Sequence, residues 1–185
     1  AVADEPRGGG RITLVESVPL ETELGHATTA DTASTWLAMI AEAKHSIELC
    51  HFYASSEAGG LLEPVIEALA QAVGRGVVVR MLLDTRLSDS YAGTFERLAG
   101  LFELRRWDAA PELGGIQHAK YLVVDGEQVF LGSANFDWRS LSHIHEIGVR
   151  LEAPAVAEDL GNLFELDWLL AAAERAHAMV RLAQV

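Results

Sequence analysis

The apolar residues of the chain recur in short runs that predict β-strands, separated from one another by turn residues or by helical patterns. The run over residues 77–83 is almost continuously apolar, which is typical of a strand buried on both faces. Four further segments are also predicted to be strands. Together the predicted strands cover residues 12–18, 46–53, 77–83, 102–107 and 144–151.

Between these strands the apolar positions follow the period of an α-helix. Asp31 or Thr32 is expected to cap the first helix. In the second helix, Pro64 lies near the first turn and Gly74 lies at the end, as in many helices of globular proteins. The predicted helices cover residues 31–44, 61–73, 91–99 and 154–181.

The strongest local signal in the chain predicts a β-hairpin. Two apolar runs, 121–124 and 128–131, flank the turn dipeptide of Asp125 and Gly126. With the other elements, this hairpin predicts an α/β fold in which a mixed β-sheet is sandwiched by helices on both faces. Residues 12–185 are expected to form this single domain, and the glycine-rich residues 1–11 are expected to be a flexible lead-in.

Composition and charge narrow the classes of function. Half of the 185 residues are hydrophobic and 22% are charged, as in an ordinary soluble domain. No apolar run reaches the roughly 18 residues that a transmembrane segment needs. The net charge is −13, yet residues 75–150 hold nine Lys or Arg against ten Asp or Glu. This distribution disfavours a long cationic groove for duplex DNA but allows a short single strand or a lipid headgroup.

The single cysteine and the first residue bear on the cellular compartment. Cys50 has no partner for an intrachain disulfide and excludes a cysteine-based zinc site. The chain begins at Ala1 rather than at a methionine, so its start is expected to be processed or engineered. Both a cytoplasmic and an exported protein therefore stay open.

The candidate chemistry is concentrated in a segment that begins at His118. His118 and Lys120 are two residues apart, so on a strand their side chains project from the same face. Ser133 and Asn135 repeat this spacing after the returning strand of the hairpin, and both pairs are expected to converge. Lys120 and the Asn135 amide are suited to bind the charged oxygens of a phosphodiester. A neutral His118 imidazole is a competent nucleophile.

Three residues around this segment are expected to support it. Glu146, on the following predicted strand, is the candidate acceptor for the other ring nitrogen of His118, which would fix the tautomer. Asp125 lies at the hairpin turn and is expected to brace the hairpin through local hydrogen bonds. Gly132 is expected to have a structural role.

Two residues outside the segment are candidate substrate contacts. Trp138 is adjacent to the motif loop, where its ring could stack on a base or line the entry for a lipid. His51 ends a predicted strand near the expected mouth of the site, where substrate contact and ordinary core packing are both open. Arg139 could contact an anionic substrate, although surface arginines are usually solvated.

The pattern His-x-Lys-x4-Asp at His118, followed by Gly-Ser-x-Asn and then Glu146, resembles the HKD signature of the phospholipase D superfamily. Residues 14–18, 135–140 and 146–149 extend the similarity to the first half of the endolysosomal phospholipase D-like exonucleases and their bacterial relatives. The resemblance implies a half-unit of the phospholipase D-like fold. It also implies a two-step reaction without a metal or cofactor, in which one histidine forms a phosphohistidine and a second protonates the leaving oxygen.

The chain departs from most members of that family because it carries one HKD motif. None of its six other histidines begins the pattern. The second histidine is therefore expected to come from a second copy, in a homodimer whose active site straddles the two-fold axis. The alternative is that the chain is half of a larger enzyme.

The expected function is that of a phosphodiesterase that hydrolyses or transfers at its substrate. A phospholipid headgroup is slightly favoured as the substrate by the apolar composition, the acidic flanks and the commonest activity in the family. A short single-stranded nucleic acid is the first alternative, since it follows from the single motif and the exonuclease-like segments. A non-catalytic half-domain or scaffold is the second alternative.

Overall fold

The computed structural model of the chain describes residues 10–110 and 114–182, with the backbone alone for residues 174–182. Of the lead-in predicted for residues 1–11, residues 1–9 lie outside this described part, and Arg11 is already in the first strand. The helices are α1 Thr32–Glu42, α2 Leu62–Gly74, α3 Ala92–Ala99, α4 Trp138–Ser142 and α5 Pro154–Leu182. The strands are β1 Arg11–Ser17, β2 Ala30–Asp31, β3 Ser46–His51, β4 Ala54–Ser55, β5 Val78–Asp84, β6 Glu103–Trp107, β7 Tyr121–Val124, β8 Gln128–Gly132, β9 Phe136–Asp137 and β10 Glu146–Glu152.

Eight of these strands form one mixed sheet in the order β2-β1-β10-β8-β7-β3-β5-β6. The strands β3, β5 and β6 are parallel, as expected where helical crossovers join them. Along the series β1, β10, β8, β7 and β3, each strand is antiparallel to the next, and β2 is parallel to β1. The predicted hairpin is confirmed as β7 and β8, which lie at the centre of the sheet. The short strands β4 and β9 pair in parallel as a separate two-stranded sheet.

Helices pack on both faces of the large sheet, which confirms the predicted fold class. The helices α1, α2 and α3 cover one face, where Trp36, Leu69 and Phe130 belong to the larger hydrophobic core. On the other face, α5 buries Phe164 and Trp168 against the central strands. Adjacent residues of the central strands therefore enter different cores, which explains their nearly continuous apolar sequence.

The helix α5 covers only part of its face of the sheet. It packs on β3, β6, β7 and β8, which leaves the β1 and β10 end of that face open. Leu14 and Leu131 each pair with Val149, so the three side chains share this face. The side chains of Leu14 and Ile147 are 57% and 65% exposed there. We call the group of Ile12, Leu14, Leu131 and Ile147 the open apolar face.

In the described part of the chain, no helix is both long enough and apolar enough to span a bilayer.

Asp125 ties the hairpin turn to a distant segment of the chain. Asp125 and Gly126 have φ values of 54° and 65°, the left-handed conformation that a tight hairpin turn requires at both central positions. The predicted local hydrogen bonds are wrong in their partners, because the Asp125 carboxylate accepts from the backbone N–H groups of Lys44, His45 and Ser46 at 2.7–2.9 Å. Burial opposes ionisation of this carboxyl, but these three donors outweigh burial and lower its pKa.

Replacing Asp125 with alanine is expected to lower the free energy of unfolding by about 2–3 kcal/mol, because three backbone donors lose a charged acceptor. Alanine also fits the left-handed conformation poorly, whereas asparagine tolerates it. Urea unfolding followed by circular dichroism should therefore place Asp125→Asn between the wild type and Asp125→Ala. A loss below about 0.5 kcal/mol for Asp125→Ala would contradict the bracing role.

Candidate active site

Lys120 is the buried anchor of the candidate site. His118 and Lys120 lie just before β7, which begins at Tyr121 as predicted. The Lys120 carbonyl nevertheless accepts a hydrogen bond from the Gly132 N–H at 3.1 Å, which extends the pairing of β7 with β8. The Lys120 side chain is only 6% exposed, and its Nζ donates to the His118 carbonyl at 2.6 Å. The ammonium group is therefore fixed beside the backbone of His118.

The His118 imidazole is exposed and rests against the ring of Phe52, with 4.8 Å between the ring centroids. Partial burial and then the neighbouring Lys120 charge lower the pKa of His118, while Asp84 opposes the shift. This shift favours the neutral ring, which is the state that a nucleophilic imidazole needs.

Asp84 supports the His118 segment and was not singled out from the sequence. It is the last residue of β5 and is buried. Its carboxylate accepts from the backbone N–H groups of Gln117 at 2.9 Å and of Arg86 at 2.8 Å. Gln117 is adjacent to His118, so Asp84 holds the backbone that presents the imidazole. A carboxylate directly after the buried apolar run 77–83 was the available signal, because a charge at that position needs partners.

An NMR titration of the His118 ring protons should give a pKa below the ordinary histidine value of about 6.5. Because the Lys120 charge contributes to this lowering, Lys120→Met should raise the pKa of His118 towards the ordinary value. The only other lysine in the sequence, Lys44, gives a matched control, and Lys44→Met should leave the titration unchanged. Equal pKa values in wild type and Lys120→Met would refute the electrostatic coupling.

Glu146 and Ser133 form a hydrogen-bonded pair at the edge of the site. The Glu146 carboxylate accepts from the hydroxyls of Ser133 and, at 3.2 Å, of Ser140. The predicted hydrogen bond from His118 to Glu146 is therefore wrong within one chain, where the two serines are the donors to this carboxylate. Glu146 still acts electrostatically on the site: burial lowers the pKa of Lys120, and the Glu146 charge opposes that lowering.

Asn135 lies three residues after Gly132, the last residue of β8. A Cβ atom at Gly132 would lie 2.8 Å from the Ile147 carbonyl oxygen and 2.9 Å from the Cα atom of Gly148. This close approach of β8 to β10 supports the structural role expected for Gly132. The Asn135 Oδ1 atom is buried and accepts no hydrogen bond from the described residues. A buried acceptor of this kind lowers the stability of the fold unless a ligand or a second chain donates a hydrogen bond to it.

His51 lies beneath the site rather than at its mouth. It is fully buried, and its ring packs against those of Trp36 and Phe136 at 5.7 and 5.5 Å. Burial and then the Lys120 charge lower its pKa to about 3, so the ring is neutral. These contacts favour core packing over the substrate contact considered from the sequence.

The segment after Asn135 places Trp138 and Arg139 beside the site. Asp137 is fully buried and caps α4 by accepting from the Arg139 backbone N–H at 2.8 Å. The Arg139 guanidinium also donates to Asp137, so Arg139 is not the solvated surface residue that the sequence suggested. Trp138 is half-buried, in contact with the Arg139 guanidinium. Across the described ranges, no group of three or more His, Cys, Asp or Glu is arranged to hold a metal ion.

Most of the chain is similar in sequence to known proteins. Residues 36–168 match the family model described as cardiolipin synthase, PLD-like domain. The chain is 35% identical over 172 residues to phospholipase D Z of Dictyostelium discoideum, a match that covers 86% of this chain and 40% of that protein. It is 33% identical over 172 residues to the 5'-3' exonuclease PLD3 of Rattus norvegicus, covering 85% of this chain and 34% of that protein. The chain thus spans less than half of either relative.

The fold is also similar to that of a solved structure. The Nuc protein of Salmonella typhimurium, described as a phospholipase D family member, aligns with a TM-score of 0.69 and 23% sequence identity. The alignment covers 88% of this chain and 96% of that chain. At this identity the likeness concerns the fold alone.

Proposed function

The chain belongs to the phospholipase D superfamily, and we propose that it is a phosphodiesterase that cleaves single-stranded nucleic acid through a phosphohistidine formed at His118. The observation that carries this proposal is the exposed imidazole of His118 held next to the buried ammonium group of Lys120. Asn135 and Ser133 follow the neighbouring strand β8 at the same edge of the sheet. This set supports nucleophilic attack on a charged phosphorus centre.

In the proposed first step, a ring nitrogen of His118 attacks phosphorus, and the bond from phosphorus to the leaving oxygen breaks. A second histidine donates a proton to that oxygen. Lys120 and Asn135 bind the phosphoryl oxygens and offset the negative charge that develops on them. In the second step, the second histidine takes a proton from water, the water oxygen attacks phosphorus, and the phosphorus–nitrogen bond breaks to free His118. The chemistry uses no metal ion.

The second histidine is proposed to come from a second copy of the chain. The sequence carries one HKD motif, and the open apolar face adjoins it. Leu131 pairs with Tyr121, the residue after Lys120, and precedes Ser133 by two residues. A two-fold pairing brings identical motifs together, and it would also cover the exposed Leu14 and Ile147 side chains. A catalytically silent scaffold is less consistent with the buried Lys120, whose charge has a cost in the absence of an anionic ligand.

Nucleic acid replaces phospholipid as the favoured substrate class. The side chain packed on His118 is the aromatic ring of Phe52, which can stack on the face of a base. Further aromatic rings and the Arg139 guanidinium lie next to one another beyond Phe52. The relative named as a 5'-3' exonuclease is consistent with this choice. Hydrolysis or transfer at a phospholipid headgroup stays as the second candidate, because another relative is named a phospholipase D.

The purified chain should therefore shorten a 5'-labelled single-stranded oligonucleotide and leave phosphatidylcholine vesicles without released choline. Activity should persist in a chelator, since the proposed chemistry is carried by imidazoles. Release of choline with an intact oligonucleotide would replace the nuclease proposal with the lipid one. Turnover of neither substrate by a chain shown to be paired would favour the scaffold.

A further inference from the structure

A strip of aromatic side chains extends away from His118. The Phe52 ring lies 4.8 Å from the His118 ring and 5.7 Å from the Tyr53 ring. Tyr53 in turn stacks on Tyr91, with 5.2 Å between centroids and 17° between the planes. All three aromatic residues are partly exposed. The rings therefore form a contiguous surface that begins at the candidate nucleophile.

The strip continues through a guanidinium group. Arg139 lies with its Cζ atom 5.7 Å from the Tyr91 ring centroid and 5.6 Å from that of Trp138. It donates to the Tyr91 hydroxyl at 2.9 Å and to the Asp137 carboxylate at 2.7 Å. Its side chain remains 37% exposed. Arg139 thus joins Tyr91 to Trp138 and remains partly exposed to solvent.

A buried carboxylate holds the strip in one arrangement. Asp137 accepts from the Tyr53 hydroxyl at 2.6 Å as well as from Arg139. Burial and the hydrogen bond to Asp137 raise the pKa of Tyr53, so its hydroxyl stays protonated and continues to donate. The rings are therefore positioned before any ligand arrives, and this lowers the entropic cost of binding to them.

Resting on the function proposed above, we propose that Phe52, Tyr53, Tyr91, Arg139 and Trp138 form a stacking platform for the bases next to the scissile phosphate. Every base offers a flat π-face, so aromatic rings and arginine bind bases without strict sequence preference. Asp137 neutralises Arg139, which makes the platform a surface for stacking rather than an anchor for further phosphates. An acyl chain is a poorer occupant, because it would cover the guanidinium and the hydroxyls with apolar groups.

The platform is tested by comparing Tyr91→Ala with Tyr91→Phe on three substrates. These are a single-stranded oligonucleotide, the same oligonucleotide with an abasic residue beside the scissile phosphate, and bis(p-nitrophenyl) phosphate. Tyr91→Ala should lower kcat/KM for the normal oligonucleotide about tenfold to hundredfold relative to the small diester. The loss should be much smaller for the abasic oligonucleotide, which has no base to stack. Tyr91→Phe keeps the ring but loses the hydroxyl that accepts from Arg139, so its loss on the normal oligonucleotide should be clearly smaller than that of Tyr91→Ala.

Equal losses on all three substrates would overturn the platform, because they would indicate a general structural effect of Tyr91. A loss on phosphatidylcholine vesicles as large as that on the normal oligonucleotide would also overturn it, in favour of a lipid-binding role. Absence of turnover by the wild type would count against the proposed function. In that event, fluorescence anisotropy with the labelled oligonucleotide tests the platform independently, and Tyr91→Ala should weaken binding about tenfold or more if the platform is correct.

Discussion

Replacing His118 with alanine is expected to lower kcat by roughly 10⁴-fold or more, because the reaction loses the atom that bonds to phosphorus. The His51 ring beneath the site is not placed to substitute for it, since His51 is buried and packed against Trp36. The fold should be unaffected, because the His118 side chain is exposed and its ring contact is with Phe52. Steady-state hydrolysis measures the loss of kcat, and acid-quench trapping measures the loss of the phosphohistidine.

His45→Ala provides the matched control for this prediction. The His45 residue is exposed, and its hydrogen bond to Asp125 is made by the backbone N–H, which the substitution keeps. Activity and phosphohistidine trapping should therefore match the wild type. If His118→Ala retained more than about 1% of wild-type kcat, the nucleophile would have to be a different group.

The main strands and helices could be predicted because each carries its own local signal. The apolar run over 77–83 became β5, Val78–Asp84, and the Asp–Gly turn became the hairpin of β7 and β8. The small sheet of β4 and β9 was missed for the opposite reason. Each of its strands has two residues, and Ala54 pairs with Phe136 across a long stretch of chain. No local pattern encodes such a pairing, which depends on how the larger sheet brings the two segments together.

The candidate site was predictable only as far as its residues are close in sequence. His118 and Lys120 were found through their spacing, but Asp84 reaches the same segment from another strand. Likewise, Tyr53 and Tyr91 become neighbours of Arg139 only in the folded chain. Sequence spacing indicates which side chains share a face of one element, whereas contacts between elements follow from the strand order.

The hydrogen bond expected between His118 and Glu146 shows the same limit. Both residues lie at the same edge of the sheet, yet Ser133 and Ser140 occupy the Glu146 carboxylate within the chain. The buried Oδ1 atom of Asn135, which accepts no hydrogen bond from the part of the chain that the structure describes, lies in the same region. In the proposed mechanism, one chain supplies the nucleophile and the ammonium group, and the proton donor to the leaving group comes from a second copy. Pairing of two chains would supply it.

Ile147→Glu is accordingly expected to separate the paired chains and to lower activity by at least about 100-fold. Ile147 is 65% exposed on the open apolar face, next to Glu146 in sequence. A carboxylate buried there in the pair would cost several kcal/mol, whereas in a single chain it would be solvated. Sedimentation velocity should show a monomer with unchanged circular dichroism. Val78→Glu, at the start of β5 towards the other end of the sheet, makes the same substitution at a 52% exposed position and should remain paired and active.

Mixing wild type with His118→Ala separates shared active sites from independent ones. If each pair has one site that needs both imidazoles, equal amounts allowed to exchange give about one quarter wild-type pairs. The mixture should then show about half the activity of its wild-type portion measured alone. If each chain were active on its own, the mixture would show the full activity of its wild-type portion. This result would contradict the proposed role of the second copy. His118→Ala that also carries Ile147→Glu cannot pair, so it should leave the wild-type activity undiminished if the open apolar face is the pairing surface.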